Sequence, residues 1–82
     1  MATLLYFGRL TDITGKSSET LTLPDDIITT AALRTWLDAT HKTNGTLLEK
    51  TVRIAINNEL VTEPAAISDA DEIAFMPPVG GG

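Results

Sequence analysis

Only one stretch of this 82-residue chain repeats its apolar side chains at helical spacing, and a lone amphipathic helix leaves few folds open. Leu33, Trp36, Leu37 and Thr40 mark the stripe, which predicts a helix from about Thr30 to about His41. Thr29 or Thr30 stands where an N-cap is wanted, and Asn44-Gly45 is the natural stop. Asp38 and Lys42, four apart, are expected to pair on its outer face. Such a stripe needs an apolar face to lie on, and the rest of the chain reads as short strands. Ala2–Phe7 is an apolar run ended by Gly8, and Thr20–Leu23 alternates until Pro24-Asp25-Asp26. Gly15-Lys16-Ser17-Ser18 between them has turn chemistry, suggesting a hairpin. Val52, Ile54 and Ile56 alternate with polar or small residues, Asn57-Asn58-Glu59 turns the chain into a short Leu60–Thr62 segment, and Glu72–Met76 follows an aspartate turn. The expectation is an α+β roll, a mixed sheet of about four to five strands packed on one main helix.

Composition excludes much chemistry. The chain has no cysteine, so no disulfide, thiolate nucleophile or Cys-based zinc site is available. A single histidine, His41, leaves no metal site expected, and it reads as a solvated cation favoured by the helix C-terminus. A net charge of −5 argues against nucleic acid. No apolar run suits a membrane span and no signal-peptide plan is visible, so a cytoplasmic protein is expected. After Arg53 there is no basic residue, whereas Glu59, Glu63, Asp69, Asp71 and Glu72 all follow it. A partner meeting that stretch is therefore expected to be basic.

The chain ends Met76-Pro77-Pro78-Val79-Gly80-Gly81-Gly82. Two prolines fix φ and withdraw two backbone donors, so sheet pairing must stop. Three glycines contribute nothing to folding, and their physical use is slenderness and backbone freedom. Residues 1–76 are thus expected to form the domain, and 77–82 an extended, flexible tail. Composition alone suits an inert frayed end equally well.

Taken together, the segments LLYFGRLTDITG, TAALRTWLDATH, VRIAINNELV and ISDADEIAFMPPVGGG resemble the small-subunit family of molybdopterin synthase, the ubiquitin-like β-grasp sulfur carriers of molybdenum cofactor synthesis. The likeness spans essentially the whole chain, and its most specific part is the aspartate turn, strand, double proline and terminal Gly-Gly. Position 80 is Gly where the family often has Ser or Thr, and an Arg-plus-acid pair appears here as Thr11-Asp12, with Arg9 nearby. The resemblance implies that a ubiquitin-activating-type adenylyltransferase, using ATP with magnesium, activates the Gly82 carboxylate for conversion to a thiocarboxylate. The tail would then enter a large catalytic subunit, in a heterotetramer of two small and two large chains, and give sulfur to a cyclic pyranopterin monophosphate. Gly80 and Gly81 would grant access, while Pro77, Pro78 and Val79 carry the tail clear of the domain. No cofactor would reside on the chain itself.

Strand parity adds a docking expectation. If Leu4, Tyr6, Ile73 and Phe75 face the helix, then Leu5, Phe7, Ala74 and Met76 face away. Phe7, Leu60 and Met76 are expected to form an apolar patch for a partner, although ordinary core placement would suit the same residues. Trp36 reads as core. Asp25-Asp26 and Asp69-Asp71-Glu72 read as turn caps rather than as a cation site. Gly8 and Gly15 form no phosphate loop, because neither opens a helix ahead of a Gly-Lys-Ser/Thr motif. Two other readings stand beside the preferred one: a carrier of the same fold serving thiazole synthesis or tRNA thiolation, and a β-grasp interaction domain with an inert tail.

Overall fold

The computed structural model describes residues 1–78. Five strands form one sheet: β1 (Ala2–Tyr6), β2 (Ser18–Leu21), β3 (Arg53–Ile56), β4 (Glu59–Leu60) and β5 (Glu72–Met76). Their order is β2-β1-β5-β3-β4, with β1 and β5 parallel in the middle and the other pairs antiparallel. The helix α2 (Thr30–His41) lies across one face, and a short α1 (Leu10–Thr14) follows β1. This is the expected mixed sheet on one main helix.

Period-two alternation decides which side chains meet the helix. Leu4, Tyr6, Ile73, Phe75 and Ile54 point inward and are buried with Leu33, Leu37, Leu47 and Val52. Tyr6 stacks on Phe75 across the parallel pair, ring centroids 5.7 Å apart. Trp36 is half-buried against this core. Thr40, expected on the stripe, faces solvent; Leu33 and Leu37 are buried as expected, and Thr30 and Arg34 join them.

Several local expectations are corrected. The segment joining β1 to β2 is no simple hairpin turn, since α1 intervenes, closed by Gly15 at φ 82°. The second strand lies two residues earlier than Thr20–Leu23, with Leu4 opposite Glu19. Leu23 is buried beyond the strand, and its N–H donates to the Asp69 carboxylate at 2.7 Å. The N-cap of α2 is Thr29, whose hydroxyl accepts from the Ala32 N–H, but the helix stops at Lys42 in the left-handed region, before Asn44-Gly45. Asp38 does not pair with Lys42. Its carboxylate accepts from the Thr43 hydroxyl and from the Gly45 N–H, closing the turn after the helix.

Two polar clusters fasten α2. Arg34 is buried, and every guanidinium N–H is occupied. Its Nε and one terminal nitrogen grip the two Glu63 oxygens at 2.9 and 2.6 Å. The remaining hydrogens reach the carbonyls of Leu47 (2.8 Å), Glu49 (3.2 Å) and Val52. At the other end of α2, Tyr6 donates to Glu19 at 2.6 Å, and His41 Nε2 meets the same carboxylate oxygen at 2.7 Å. His41 is therefore largely enclosed, its side chain 11% exposed, rather than a solvated cation.

Breaking a buried charge network strands the remaining partner, at about 3–5 kcal/mol. Arg34→Ala is expected to lower the thermal midpoint by more than about 10 °C, with Arg34→Lys recovering only part, because lysine cannot fork across Glu63. The bond from Arg34 holds the Glu63 carboxyl below the ordinary 4.5. For Glu19, burial pushes upward, but bonds from Tyr6 and His41 outweigh it and the carboxyl again lies below 4.5. A depressed acid contributes stability above its unfolded value and loses it as pH falls through the folded one. Calorimetry should therefore show the melting midpoint falling once the pH drops below about 4.5, with a shallower acid slope in Glu63→Gln.

Candidate functional site: the outer sheet face and the root of the tail

The face of the sheet away from α2 carries the residues that alternation turned outward. One row crosses it in register, Ser18–Leu5–Ala74–Ala55–Leu60. Beside it, Met76 stands opposite Arg53. Phe7, one residue beyond β1, donates its N–H to the Phe75 carbonyl at 3.1 Å and so runs alongside the end of β5. Phe7 is 47% exposed, Leu60 61% exposed and Met76 half-buried. The three do not touch as a compact trio. Met76 and Phe7 occupy one end of the face, Leu60 the far edge strand, and the small side chains of Ala74 and Ala55 make a low floor between them.

Parallel strands are ordinarily covered on both faces. Here, among the described residues, the parallel pair β1–β5 is covered on one. Leu5 and Ala74 are half-buried and Phe7 is open to solvent.

The tail leaves at the end of the sheet where Met76 and Phe7 stand. Gly8 has φ +56°, and a Cβ there would stand 2.9 Å from the Pro77 ring, so the absence of a side chain lets Pro77 settle against the turn after β1. Pro78 is exposed. Val79, Gly80, Gly81 and Gly82 lie outside the described residues.

Of the five acidic residues after Arg53, three have carboxylates engaged within the chain, while Glu59 is exposed. Glu63 is held by Arg34, and Asp69 accepts from Leu23. Asp71 accepts from the Ser68 N–H at 2.8 Å and from the Asn57 amide at 2.9 Å. The cation Arg53, not a carboxylate, stands across from Met76 at the root of the tail, so a basic partner is not what this geometry favours there. Asp25 and Asp26 are exposed in a turn that the Ile27 N–H closes onto the Pro24 carbonyl. Among the described residues no group of three or more His, Asp or Glu side chains is arranged to hold a metal ion, and no helix is long and apolar enough to cross a membrane.

The sheet order, the single crossing helix and a C-terminal strand at the sheet centre define a ubiquitin-like β-grasp protein. The chain belongs to the ThiS family, whose pattern matches residues 4–82. It is 35% identical over 83 residues to the molybdopterin synthase sulfur carrier subunit of Haemophilus influenzae, covering 100% of both chains. To the human protein of that name it is 31% identical, covering 96% of this chain and 91% of the relative. Among solved structures, the small archaeal modifier protein SAMP1 of Haloferax volcanii shares the fold with TM-score 0.79, at 20% identity and 99% and 98% coverage. A chain from the complex of subunits 1 and 2 of the Helicobacter pylori molybdopterin-converting factor does so with TM-score 0.64, at 22% identity and 99% and 97% coverage.

Because Phe7 is largely outside the core, Phe7→Asp should leave the thermal midpoint within about 4 °C of the parent. A larger fall in a melting experiment would mean that Phe7 supports the fold rather than a partner.

Proposed function

We propose that this chain is the sulfur carrier subunit of a molybdopterin synthase, with Gly82 as the residue that carries the sulfur. The observation that carries this reading is the one-sided cover of the parallel pair, with Pro77 leaving the domain at the end of that pair beside the turn after β1. Full-length relatives bearing that name support it, and so does a chain of this fold in a two-subunit molybdopterin-converting factor.

The chemistry follows from the weakness of a carboxylate as an electrophile. An adenylyltransferase partner, using ATP with magnesium, lets the Gly82 carboxylate attack the α-phosphorus; pyrophosphate leaves and an acyl adenylate forms. A donor supplying sulfur at the sulfide level then attacks the acyl carbon, the C–O bond to AMP breaks, AMP leaves, and a thiocarboxylate remains. Without side chains at Gly80, Gly81 and Gly82, the thread fits a channel that any Cβ would narrow. Pro77 and Pro78 keep it from rejoining the sheet, and Val79 bridges them to the glycines. Phe7, Leu60 and Met76 bury against the large catalytic subunit, in an assembly of two small and two large chains. There the thiocarboxylate sulfur attacks a side-chain carbon of a cyclic pyranopterin monophosphate and displaces the oxygen at that carbon; water then cleaves the acyl C–S bond, leaving the sulfur on the pterin and returning the chain's carboxylate. Two such transfers make the dithiolene. All of these steps belong to the cytoplasm, and the catalytic side chains lie on the large subunit.

Intact-mass spectrometry after incubation with the activating enzyme, ATP and a sulfur source should show one oxygen replaced by sulfur. The same treatment of a chain lacking Gly82, or carrying one residue beyond it, should yield no such species. Sulfur incorporation that ignores these changes would overturn the reading.

A further inference from the structure

A cleft of about 610 Å³ opens on the side of the molecule between the first half of α2 and the segment after β4. Its apolar wall is made by Ala31, Leu48, Val61 and Pro64. Leu48 is 46% exposed, although it follows the fully buried Leu47 in the short helical turn Thr46–Leu48. The charges around it are Arg34, Lys50, Arg53 and Glu63. Arg34 and Glu63 neutralise one another through two short bonds. Lys50 and Arg53 make no ion pair among the described residues, and although the Arg53 charge also favours the ionised Glu63, the rim carries more cations than anions on a chain whose net charge is −5.

We infer that this cleft is a docking groove for a partner polypeptide segment that alternates aliphatic and carboxylate side chains. The aliphatic groups seat on Leu48, Val61 and Pro64, while the carboxylates meet Lys50 and Arg53. Charge complementarity selects an acidic segment, and the apolar wall selects against a bare anion. The smaller cleft, about 270 Å³ beside Asp25 and Asp69, has the opposite charge and does not fit such a segment. Arg53 also faces Met76 across the sheet, so the groove adjoins the root of the tail. A segment lying in it would be held beside whatever receives Pro77 and the residues after it. This site goes beyond the sulfur-carrier reading and does not require it.

The test is an amide NMR titration of the isotopically labelled chain with three probes: a capped Glu-Leu-Glu-Leu-Glu peptide, its Lys-Leu-Lys-Leu-Lys counterpart, and inorganic phosphate. Saturable shifts are expected at Ala31, Leu48, Lys50, Arg53, Val61 and Thr62 with the acidic peptide alone. They should weaken with salt, and affinity should fall about fivefold or more in the K50E/R53E variant. Leu48→Ser should weaken binding without changing the salt slope. The spectrum of each variant reports its own folding, and K50Q/R53Q reads the same contact if the charge reversal disturbs the fold. Absence of saturable shifts, an equal response to the basic peptide, shifts confined to the outer sheet face, or the same shifts with phosphate alone would each overturn the inference. None of these arms involves Gly82, so failure of the sulfur-carrier reading leaves their outcome interpretable.

Discussion

Parallel pairing of the first and last strands governs everything that makes this molecule useful. Because β1 and β5 run the same way, Phe7 and Pro77 emerge at the same end of the sheet, side by side. An antiparallel arrangement would put them at opposite ends, and the tail would leave far from the turn that now receives it. Parallel pairing needs a crossover, and the intervening chain supplies one in α2. The helix covers one face of the pair and leaves the other open. A small domain thus obtains its core and an open sheet face from a single topological choice.

Electrostatics reinforces that division. Several carboxylates are engaged within the fold: Glu63 clamps Arg34, Glu19 joins Tyr6 to His41, and Asp69 and Asp71 satisfy backbone donors. Among the described residues no buried side-chain nitrogen or oxygen lacks a hydrogen-bond partner. The outer face is therefore less acidic near the tail than composition implies, and Arg53 gives it a cationic edge. Net charge describes solubility and long-range steering, while local bonding decides which charges a partner meets.

Legibility in the sequence followed the length over which each signal repeats. Three turns of α2 display their period plainly, and alternation in Leu4–Phe7 and Ile73–Met76 assigns both sheet faces. The five residues of α1 are too few to show a period, although Leu10 and Ile13 three apart, followed by Gly15, were its marks. In β2 the alternation of Thr20–Leu23 was genuine, yet pairing with Leu4 places Glu19 on the inward face, and only the sheet reveals it. Arg34 looks like any helical arginine. Its position four after Thr30 and three before Leu37 puts it on the buried line, but its acceptors are scattered from Leu47 to Glu63 and no local pattern announces them. The tail motif is legible in chemistry only in part: prolines end pairing and glycines remove bulk, but those facts suit an inert end equally well, and the carrier role is what the resemblance implies.

The central claim is that the domain exists to deliver the end of its own chain to a second protein, and that the delivered group builds a dithiolene. The most direct measurement combines the thiocarboxylated chain with purified large subunit and cyclic pyranopterin monophosphate, and follows dithiolene formation with time. Product should form in proportion to the thiocarboxylate consumed, with the unmodified carboxylate form recovered. Thiocarboxylate that persists unchanged with this large subunit, yet gives up its sulfur in thiazole formation or tRNA thiolation, would contradict it.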